Sequence, residues 1–250
     1  MQAYFISDIH LKKMEERNSQ KLLRFLLSLW EKPQGTITHL CFVGDIFDLW
    51  ISNHEVFVKR WNPIIKAIQS LVKKHQIQLY YFEGNHDVHI APFWEDKMGA
   101  TVLTEPLTSH FGPWIIHMAH GDLINRTDKK YLKYRSNIRS GFMKFLAHNL
   151  PGSFWDWVGK KMSAASAKHS RIERQDQQDY LRILIREYAR EIAIRDHCHF
   201  VITGHVHIQD EYVFEKDGIK IKSINLGTWI DNPNPPVYKI DDKGGSFIEI

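Results

Sequence analysis

Cysteine and long apolar runs are both scarce in this sequence. Cys41 and Cys198 are the two cysteines among 250 residues, too few for a disulfide framework, and their spacing does not match a metal site. We therefore expect a reducing, cytoplasmic setting. No run of about 18 apolar residues occurs, so we expect no membrane-spanning helix. The opening residues MQAYFISDIHL lack the basic region and apolar stretch of a signal peptide, so we expect none.

Composition excludes a disordered chain and a coiled coil. Apolar residues make up 43% and charged residues 25%, as in ordinary globular domains. The length suits one large domain, or one domain that carries an insertion. Histidine is the unusual residue, with fifteen copies, and several of them lie beside carboxylates or asparagine. This clustering indicates a metal site.

Short apolar runs alternate with helical patterns along much of the chain. The predicted strands are Ala3–Ser7, His39–Val43, Gln78–Glu83, Trp114–His117, Phe200–Thr203 and Ile221–Asn225. Leucines and isoleucines recur at helical spacing in Ser19–Lys32 and Trp61–Lys74. This alternation predicts an α/β layered fold. Short turns between the later strands, such as Lys216-Asp217-Gly218, favour a sandwich over a purely parallel sheet.

The segment 126–195 departs from this rhythm because it contains helical patterns and no convincing strand. The predicted helices are Thr127–Asn149, Phe154–Lys168 and Gln175–Arg195. The segment holds sixteen Lys and Arg against seven Asp and Glu, whereas the rest of the chain is acidic. We predict that residues 1–125 and 196–250 form a hydrolase core and that residues 126–195 form an inserted helical cap.

Polar clusters follow five of the predicted strands. In chain order they are Ser7-Asp8-Ile9-His10, Gly44-Asp45-Ile46-Phe47-Asp48, Gly84-Asn85-His86-Asp87, His120-Gly121-Asp122 and Gly204-His205-Val206-His207. Ligands of layered α/β folds bind outside the carboxyl ends of the strands, so we expect these clusters to meet in one crevice. Any one of these motifs alone is a weak signal, but five in order indicate a shared site.

The residue types in these clusters suit divalent metal ions. Asp8 and His10 are two residues apart, as are His205 and His207, so each pair can face one side of an extended segment. Imidazole, carboxylate and amide oxygen ligands together favour Mn²⁺, Fe²⁺ or Zn²⁺. Two such ions, about 3.5–4 Å apart and sharing a carboxylate, can clamp a phosphoryl group during hydrolysis.

This series of motifs resembles that of the calcineurin-like metallophosphoesterases, over nearly the whole chain outside the cap. The resemblance implies an αββα sandwich with an inserted helical cap and two metal ions. It implies that Asp8, His10, Asp45 and His207 bind one ion, and that Asp45, Asn85, His120 and His205 bind the other. It also implies that His86 lies near the leaving oxygen as an acid or charge stabiliser and that Asp48 orients His86.

Within that family the chain is similar to the bacterial UDP-2,3-diacylglucosamine hydrolases of lipid A synthesis, which use a helical cap to hold acyl chains. The shared features are the FISDIHL opening, GDIFDLW, the helical insertion after HGD, and Leu226-Gly227-Thr228-Trp229. This resemblance implies pyrophosphate cleavage of a UDP-linked acylated sugar, with Mn²⁺ as the expected metal, at the inner face of the cytoplasmic membrane. The implied substrate-binding residues are Asn85, His86, Tyr131 (or nearby Tyr134), Ser163, Ser166, Lys168 and His205. One departure is His86, where those hydrolases carry arginine.

Other readings stay open from sequence alone. The basic cap residues and the Phe and Trp residues beside them also suit a phosphodiesterase acting on nucleotides or nucleic acid. Their position on helices with an apolar stripe argues against a nucleic-acid partner, and such a stripe is ordinarily core packing. A scaffold that has lost catalysis is disfavoured because all seven candidate ligands are present.

Overall fold

The computed structural model describes residues 1–161 and 178–250. Two sheets stack face to face. The first has the order β13-β12-β1-β2-β4-β6. Its strands are β1 (Gln2–Ile6), β2 (His39–Phe42), β4 (Gln78–Phe82), β6 (Thr101–Leu103), β12 (Val237–Asp241) and β13 (Gly244–Ile248). β1, β2, β4 and β6 run parallel, and β12 pairs with β1 in antiparallel orientation.

The second sheet has the order β10-β11-β9-β8-β7. Its strands are β7 (Leu107–Phe111), β8 (Trp114–Ala119), β9 (Phe200–Thr203), β10 (Gln209–Lys216) and β11 (Ile219–Leu226). β9 pairs in parallel with β8 and β11, while the outer pairs are antiparallel. A short parallel pair, β3 (Trp50–Ile51) and β5 (Asp87–Val88), lies near the loops that follow the first sheet.

Helices lie around the two sheets. They are α1 (Arg17–Glu31), α2 (Glu55–Arg60), α3 (Asn62–His75), α4 (Ala91–Trp94), α5 (Lys129–Ile138), α6 (Gly141–Asn149), α7 (residues 152–161) and α8 (Gln178–Asp196). α1 and α3 bury leucines and isoleucines against the outer face of the first sheet. α8 buries Ile185, Ala189 and Ile192 against the second. Phe5, Met118 and Ile202 belong to the apolar layer between the sheets. The fold is therefore an αββα sandwich of the calcineurin-like type, as the sequence predicts.

The single helix predicted over Thr127–Asn149 is wrong, because two helices occupy this stretch. α5 ends at Ile138 and α6 begins at Gly141. The Ser140 hydroxyl accepts a hydrogen bond from the Met143 N–H at 3.3 Å, which caps the start of α6. The guanidinium of Arg139 turns away to the loop after β4. Local capping therefore breaks a continuous helical pattern.

The helical segment between β8 and β9 has two different surroundings. α5, α6 and α7 lie beside the loops at the carboxyl ends of the first sheet, whereas α8 packs on the second sheet. The division into a core and a cap at residues 126–195 stays a prediction. The packing of α8 favours a narrower cap that ends before this helix. Across the described residues, no helix has both the length and the apolar character needed to cross a membrane.

Candidate active site

The five polar clusters converge at one edge of the sandwich. β1, β2 and β4 are parallel neighbours in the first sheet, and β8 and β9 are parallel neighbours in the second. Their carboxyl ends therefore point the same way, and the loops that follow meet there. The Asp8 N–H donates to the Gly44 carbonyl at 3.1 Å, and the His205 N–H donates to Asp8 Oδ2 at 2.9 Å. These bonds join the loops of both sheets, as the sequence predicts.

Five of the candidate ligands have left-handed backbone conformations. The φ angles are 51° at Asp8, 53° at His10, 54° at Asp45, 65° at His205 and 61° at His207. Each such residue other than glycine costs roughly 1–2 kcal/mol. Strained residues of this kind cluster at functional sites, where surrounding contacts hold them. The conformations therefore point to a function at this edge that outweighs their cost.

Two glycines allow the loops to approach closely. A Cβ on Gly84 would lie 2.0 Å from Asp45 Oδ1, and a Cβ on Gly44 would lie 2.2 Å from the Nδ1 atom of His120. Any side chain at either position would displace a candidate ligand. The glycines that precede the Asp45 and Asn85 motif residues are therefore needed for the side chains to meet.

Two groups of three side chains each bring potential ligand atoms within 4.8 Å of one another. We call Asp8, His10 and His207 the first ligand group, and Asp45, His120 and His205 the second. Within the first, His10 Nε2 lies 3.3 Å from His207 Nε2. Within the second, His120 Nε2 lies 3.2 Å from His205 Nδ1. Each group contains three of the four ligands expected for one ion, and the assignment of ligands to ions stays a prediction.

Asp45, a member of the second group, also faces the first group. Its Oδ2 atom is 3.8 Å from His10 Nε2 in the first group and 3.7 Å from His120 Nε2 in the second. Its Oδ1 atom accepts the His86 N–H at 2.9 Å, which fixes the carboxylate. One oxygen therefore faces both groups, which is the arrangement that a shared carboxylate requires.

Burial keeps several of these side chains in the protonation state that a metal needs. Burial lowers the pKa of His10 to about 3 and that of His205 to about 4, so both imidazoles are neutral near pH 7. Burial acts to raise the pKa of Asp45, but the surrounding imidazoles, led by His120, lower it on balance. The site therefore combines the charged Asp45 carboxylate with neutral nitrogen donors at His10 and His205.

A buried oxygen atom without a hydrogen-bond partner supports a cation at this site. Among the described residues, Asn85 Oδ1 is buried and accepts no hydrogen bond, whereas the buried Asp8 Oδ1 has His207 Nε2 at 3.2 Å. A buried oxygen left unsatisfied is costly, and a bound divalent cation would satisfy it. His120 Nδ1 donates to the Val43 carbonyl at 2.9 Å, which orients the ring as is usual for metal-binding histidines. The residues present therefore fit divalent metal ions.

His86 lies beside the first ligand group. Its ring centre is 4.7 Å from that of His10, and its Nδ1 donates to the Asp48 backbone carbonyl at 2.9 Å. A nitrogen of His10, a nitrogen of His86 and a carboxylate oxygen of Asp48 lie within 4.8 Å of one another. The contact that orients the His86 ring thus comes from the backbone of Asp48. The roles of both residues in catalysis stay predictions.

Asp87 supports the site in a way that the sequence reasoning missed. Its buried carboxylate accepts the N–H groups of Asp45 at 3.1 Å, Ile46 at 2.9 Å and Gly84 at 2.7 Å, and the Tyr81 hydroxyl at 2.7 Å. It therefore fixes the loop that carries the Asp45 carboxylate to the loop that carries Asn85. The sequence signal for this supporting role is the position of Asp87 at the end of the Gly84-Asn85-His86-Asp87 motif.

One face of α5 attaches this helix to the active-site loops. The Tyr131 hydroxyl donates to Asp122 Oδ2 at 3.3 Å, and Arg135 Nε donates to the same atom at 2.6 Å. Arg139 donates to the Glu83 carboxylate at 3.1 Å. The three side chains are four residues apart and so share a face. Arg135 and Arg139 are therefore paired with carboxylates of the protein and do not offer their charges to a phosphate or a lipid. The spacing of four residues is the sequence signal that could have indicated this shared face.

The predicted substrate-binding residues differ in where they lie. Asn85, His86 and His205 are half-buried around the two ligand groups. The Tyr131 ring centre lies 5.1 Å from that of His205, so the structure places it at the same site. Ser163, Ser166 and Lys168 lie outside the described residues.

The fold and the site define a metal-dependent hydrolase. Residues 1–209 match the calcineurin-like phosphoesterase family, and the chain belongs to that family. A UDP-2,3-diacylglucosamine hydrolase of Aeromonas hydrophila is 26% identical over 235 residues, which cover 92% of each chain. One of Stutzerimonas stutzeri is 26% identical over 224 residues, covering 90% of this chain and 89% of its own. A solved archaeal phosphodiesterase aligns over 100% of both chains at 13% identity, with a TM-score of 0.48.

Proposed function

We propose that this protein uses two divalent metal ions to cleave the pyrophosphate of UDP-2,3-diacylglucosamine into UMP and the acyl-sugar phosphate. Mn²⁺ is the metal that we expect at both positions. The two-metal part rests on one observation. Asp45 Oδ2 lies within 4 Å of an imidazole nitrogen from each ligand group. The substrate part rests on the names of relatives that align with 90% or more of this chain.

Asp8, His10, Asp45 and His207 would hold one ion, and Asp45, Asn85, His120 and His205 the other. Bound divalent ions supply Lewis-acid charge for the phosphoryl oxygens and lower the pKa of an attacking water.

His86 and Asp48 have supporting roles in this proposal. Asp8 and Asp45 are buried, and His86 is half-buried close to them. Burial acts to lower the pKa of His86, but Asp45 and the Asp48 carbonyl raise it on balance. A more basic imidazole is better suited to carry a proton toward a leaving phosphate oxygen. The Asp48 carbonyl holds the ring with Nδ1 protonated.

Exposed aromatic side chains on α6 and α7 suit an acylated substrate. Phe142, Phe145, Phe154 and Trp157 are 70%, 61%, 40% and 53% exposed. Trp155 belongs to the main apolar core instead, and Leu146 and Val158 pack against that core. The four exposed rings would contact acyl chains.

The same surface suggests where the protein works. Lys161 lies over the Trp157 ring at 4.1 Å, so positive charge accompanies the exposed aromatic side chains. Such a combination favours the surface of an anionic membrane. The proposal therefore includes a cytoplasmic location with peripheral contact at the inner face of the cytoplasmic membrane.

A second candidate function is hydrolysis of another phosphodiester, such as a nucleotide. The observation that favours it is His86, because the diacylglucosamine hydrolases that this chain resembles carry arginine at that place. A histidine offers a proton, whereas an arginine offers a fixed charge and a bidentate contact. The substrate test below distinguishes the two candidates.

The test is ³¹P NMR of the Mn²⁺-loaded protein with UDP-2,3-diacylglucosamine. We expect the pyrophosphate signals to be replaced by those of UMP and the acyl-sugar phosphate, and we expect no conversion by Asp45→Ala. Rapid cleavage of bis-p-nitrophenyl phosphate without turnover of the lipid would reject the substrate and keep the metal site. An Asp45→Ala variant with wild-type turnover would reject the two-metal site.

A further inference from the structure

A second cleft opens at the opposite end of the sandwich. It has a volume of about 420 Å³, within the range of small-molecule sites. Its lining includes Trp114 and His199 at the starts of β8 and β9, the lysines of β11 and β12, and the turn before β13. This cleft is separate from the candidate active site.

Strand direction places the cleft far from the two ligand groups. Trp114 begins β8, and His120 follows the end of the same strand. Asp241 pairs with Gln2 at the start of β1, whereas Asp8 follows the end of β1. Six residues of strand span roughly 20 Å at about 3.3 Å per residue. A molecule bound in the cleft would therefore not touch the metal-binding side chains.

The lining of the cleft is strongly basic. It contains Lys220, Lys222, Lys239 and Lys243, with Asp241 as its one carboxylate. Lys222 pairs with Glu211 at 2.8 Å, and Lys239 pairs with Asp241 at 2.8 Å. The side chains of Lys222 and Lys239 are 26% and 25% exposed, so their charges are partly withdrawn from water.

Two lysines of this cleft form no close ion pair. Within residues 1–161 and 178–250, Lys220 and Lys243 form no ion pair. Glu215 stands opposite Lys220 on the neighbouring strand β10 but makes no ion pair with it in the described chain. Asp241 accepts the N–H of Lys243 at 3.0 Å, which fixes the backbone rather than the ammonium group. The cleft therefore has an excess of cationic groups around a volume large enough for a ligand.

Aromatic side chains form one wall of the cleft. The Trp114 and His199 ring centres are 5.5 Å apart, and Trp114 Nε1 donates to the Asp241 carbonyl at 2.8 Å. The ring of Trp114 is therefore held in place beside the lysines. A rigid aromatic wall next to ammonium groups suits a ligand with phosphates at one end and a flat ring at the other.

We propose that this cleft binds a small molecule carrying two or more phosphates, at a site distinct from the catalytic centre. Ammonium groups bind phosphate through charge-assisted hydrogen bonds. Free polyphosphate and a nucleoside polyphosphate share this chemistry, and a nucleoside polyphosphate would also contact Trp114.

The experiment is isothermal titration of tripolyphosphate, and separately of ATP, into the full chain in EDTA. We expect one site per chain in the wild type. We expect at least tenfold weaker binding by the double variant Lys220→Glu/Lys243→Glu. The control is Lys66→Glu/Lys73→Glu, which makes the same change in net charge at exposed positions of α3 and should bind as wild type does. Both double variants should retain hydrolysis of bis-p-nitrophenyl phosphate.

The outcomes decide the proposal in either direction. Equal affinity for both ligands would support recognition of the phosphate chain, and tighter binding of ATP would support a nucleoside polyphosphate. No binding by the wild type would overturn the proposal. A loss of affinity smaller than tenfold in Lys220→Glu/Lys243→Glu would overturn the proposal too, as would an equal loss of affinity in the control variant. Failure here would leave the proposed hydrolysis untouched, because that activity is assayed with metal at the other end of the sandwich.

Discussion

The ion pair between Arg139 and Glu83 attaches the end of α5 to the loop that carries Asn85. Arg139 donates to the Glu83 carboxylate at 3.1 Å and to the carbonyls of Glu83 and Gly84 at 2.9 and 3.1 Å. The two side chains are 12% and 3% exposed. Removing one partner of a buried pair leaves a buried charge uncompensated, at a cost of about 3–5 kcal/mol. We therefore expect Arg139→Ala to lower the free energy of unfolding by about that amount.

A second arginine of the same segment provides the matched control. Arg126 pairs with Glu191 at 3.0 Å, almost the same distance, but these side chains are 59% and 53% exposed. Exposed pairs contribute roughly 0–1 kcal/mol because water screens them and holding both side chains costs entropy. Arg126→Ala should therefore change the free energy of unfolding by about 1 kcal/mol or less. Burial, not distance, accounts for the expected difference.

The assay is urea unfolding followed by tryptophan fluorescence, with hydrolysis of bis-p-nitrophenyl phosphate measured in parallel. The double variant Glu83→Gln/Arg139→Ala should recover part of the stability lost in Arg139→Ala, because no buried charge remains. Activity should fall in Arg139→Ala, since the Gly84 carbonyl loses the contact that fixes it beside Asn85. An equal decrease in the free energy of unfolding for Arg139→Ala and Arg126→Ala would refute the argument from burial. A double variant no more stable than Arg139→Ala would refute the argument from uncompensated charge.

Three further predictions concern chemistry, substrate and pH. His86→Ala should keep its metal by elemental analysis yet slow kcat by about 10²–10⁴ through loss of acid catalysis; unchanged kcat would remove His86 from the mechanism. Trp157→Ala should raise KM for UDP-2,3-diacylglucosamine more than KM for bis-p-nitrophenyl phosphate, and equal effects would reject the acyl contact. Burial lowers the pKa of His117 in the folded protein, so His117 in the unfolded chain takes up its proton at a higher pH. The free energy of unfolding should therefore fall as the pH drops below about 6.5. His117→Gln should flatten this slope of the unfolding free energy between pH 7 and 5; an unchanged slope would assign it to other groups.

Much of the fold was accessible from sequence because it rests on local patterns. The strands β1, β2, β4, β8, β9 and β11 and the helices α1 and α3 lie where short apolar runs and helical periodicity predict them. β6, β7 and β13 were missed because they are short or half-exposed and carry weaker patterns, and β12 was missed although it is mostly buried. The break between α5 and α6 was missed because the periodicity continues across Ser140, and only its side-chain cap reveals the boundary.

The candidate site was accessible for a different reason. Asp45, Asn85, His120 and His205 stand beside glycines just after buried strands, and Asp8 follows β1 in the same way without a glycine. Parallel strands bring such positions to one edge. The sequence could therefore name the side chains that meet. It could not show that Asp87 holds two loops through their N–H groups, because its carboxylate accepts from Asp45 and Ile46, which are 42 and 41 residues away in sequence. Nor could it show that Arg135 and Arg139 are paired internally.

The sequence by itself determined the residue types and their order after the strands, and hence the family and the chemistry. Only the tertiary structure decided that Asp45 Oδ2 faces both ligand groups and that five candidate ligands adopt left-handed backbone conformations. It also decided that lysines of three separate segments surround a second cleft. The physical reason is that residue identity and hydrophobic periodicity are local properties of the chain. The distances between side chains, their burial and the pairing of their charges depend on segments that folding brings together.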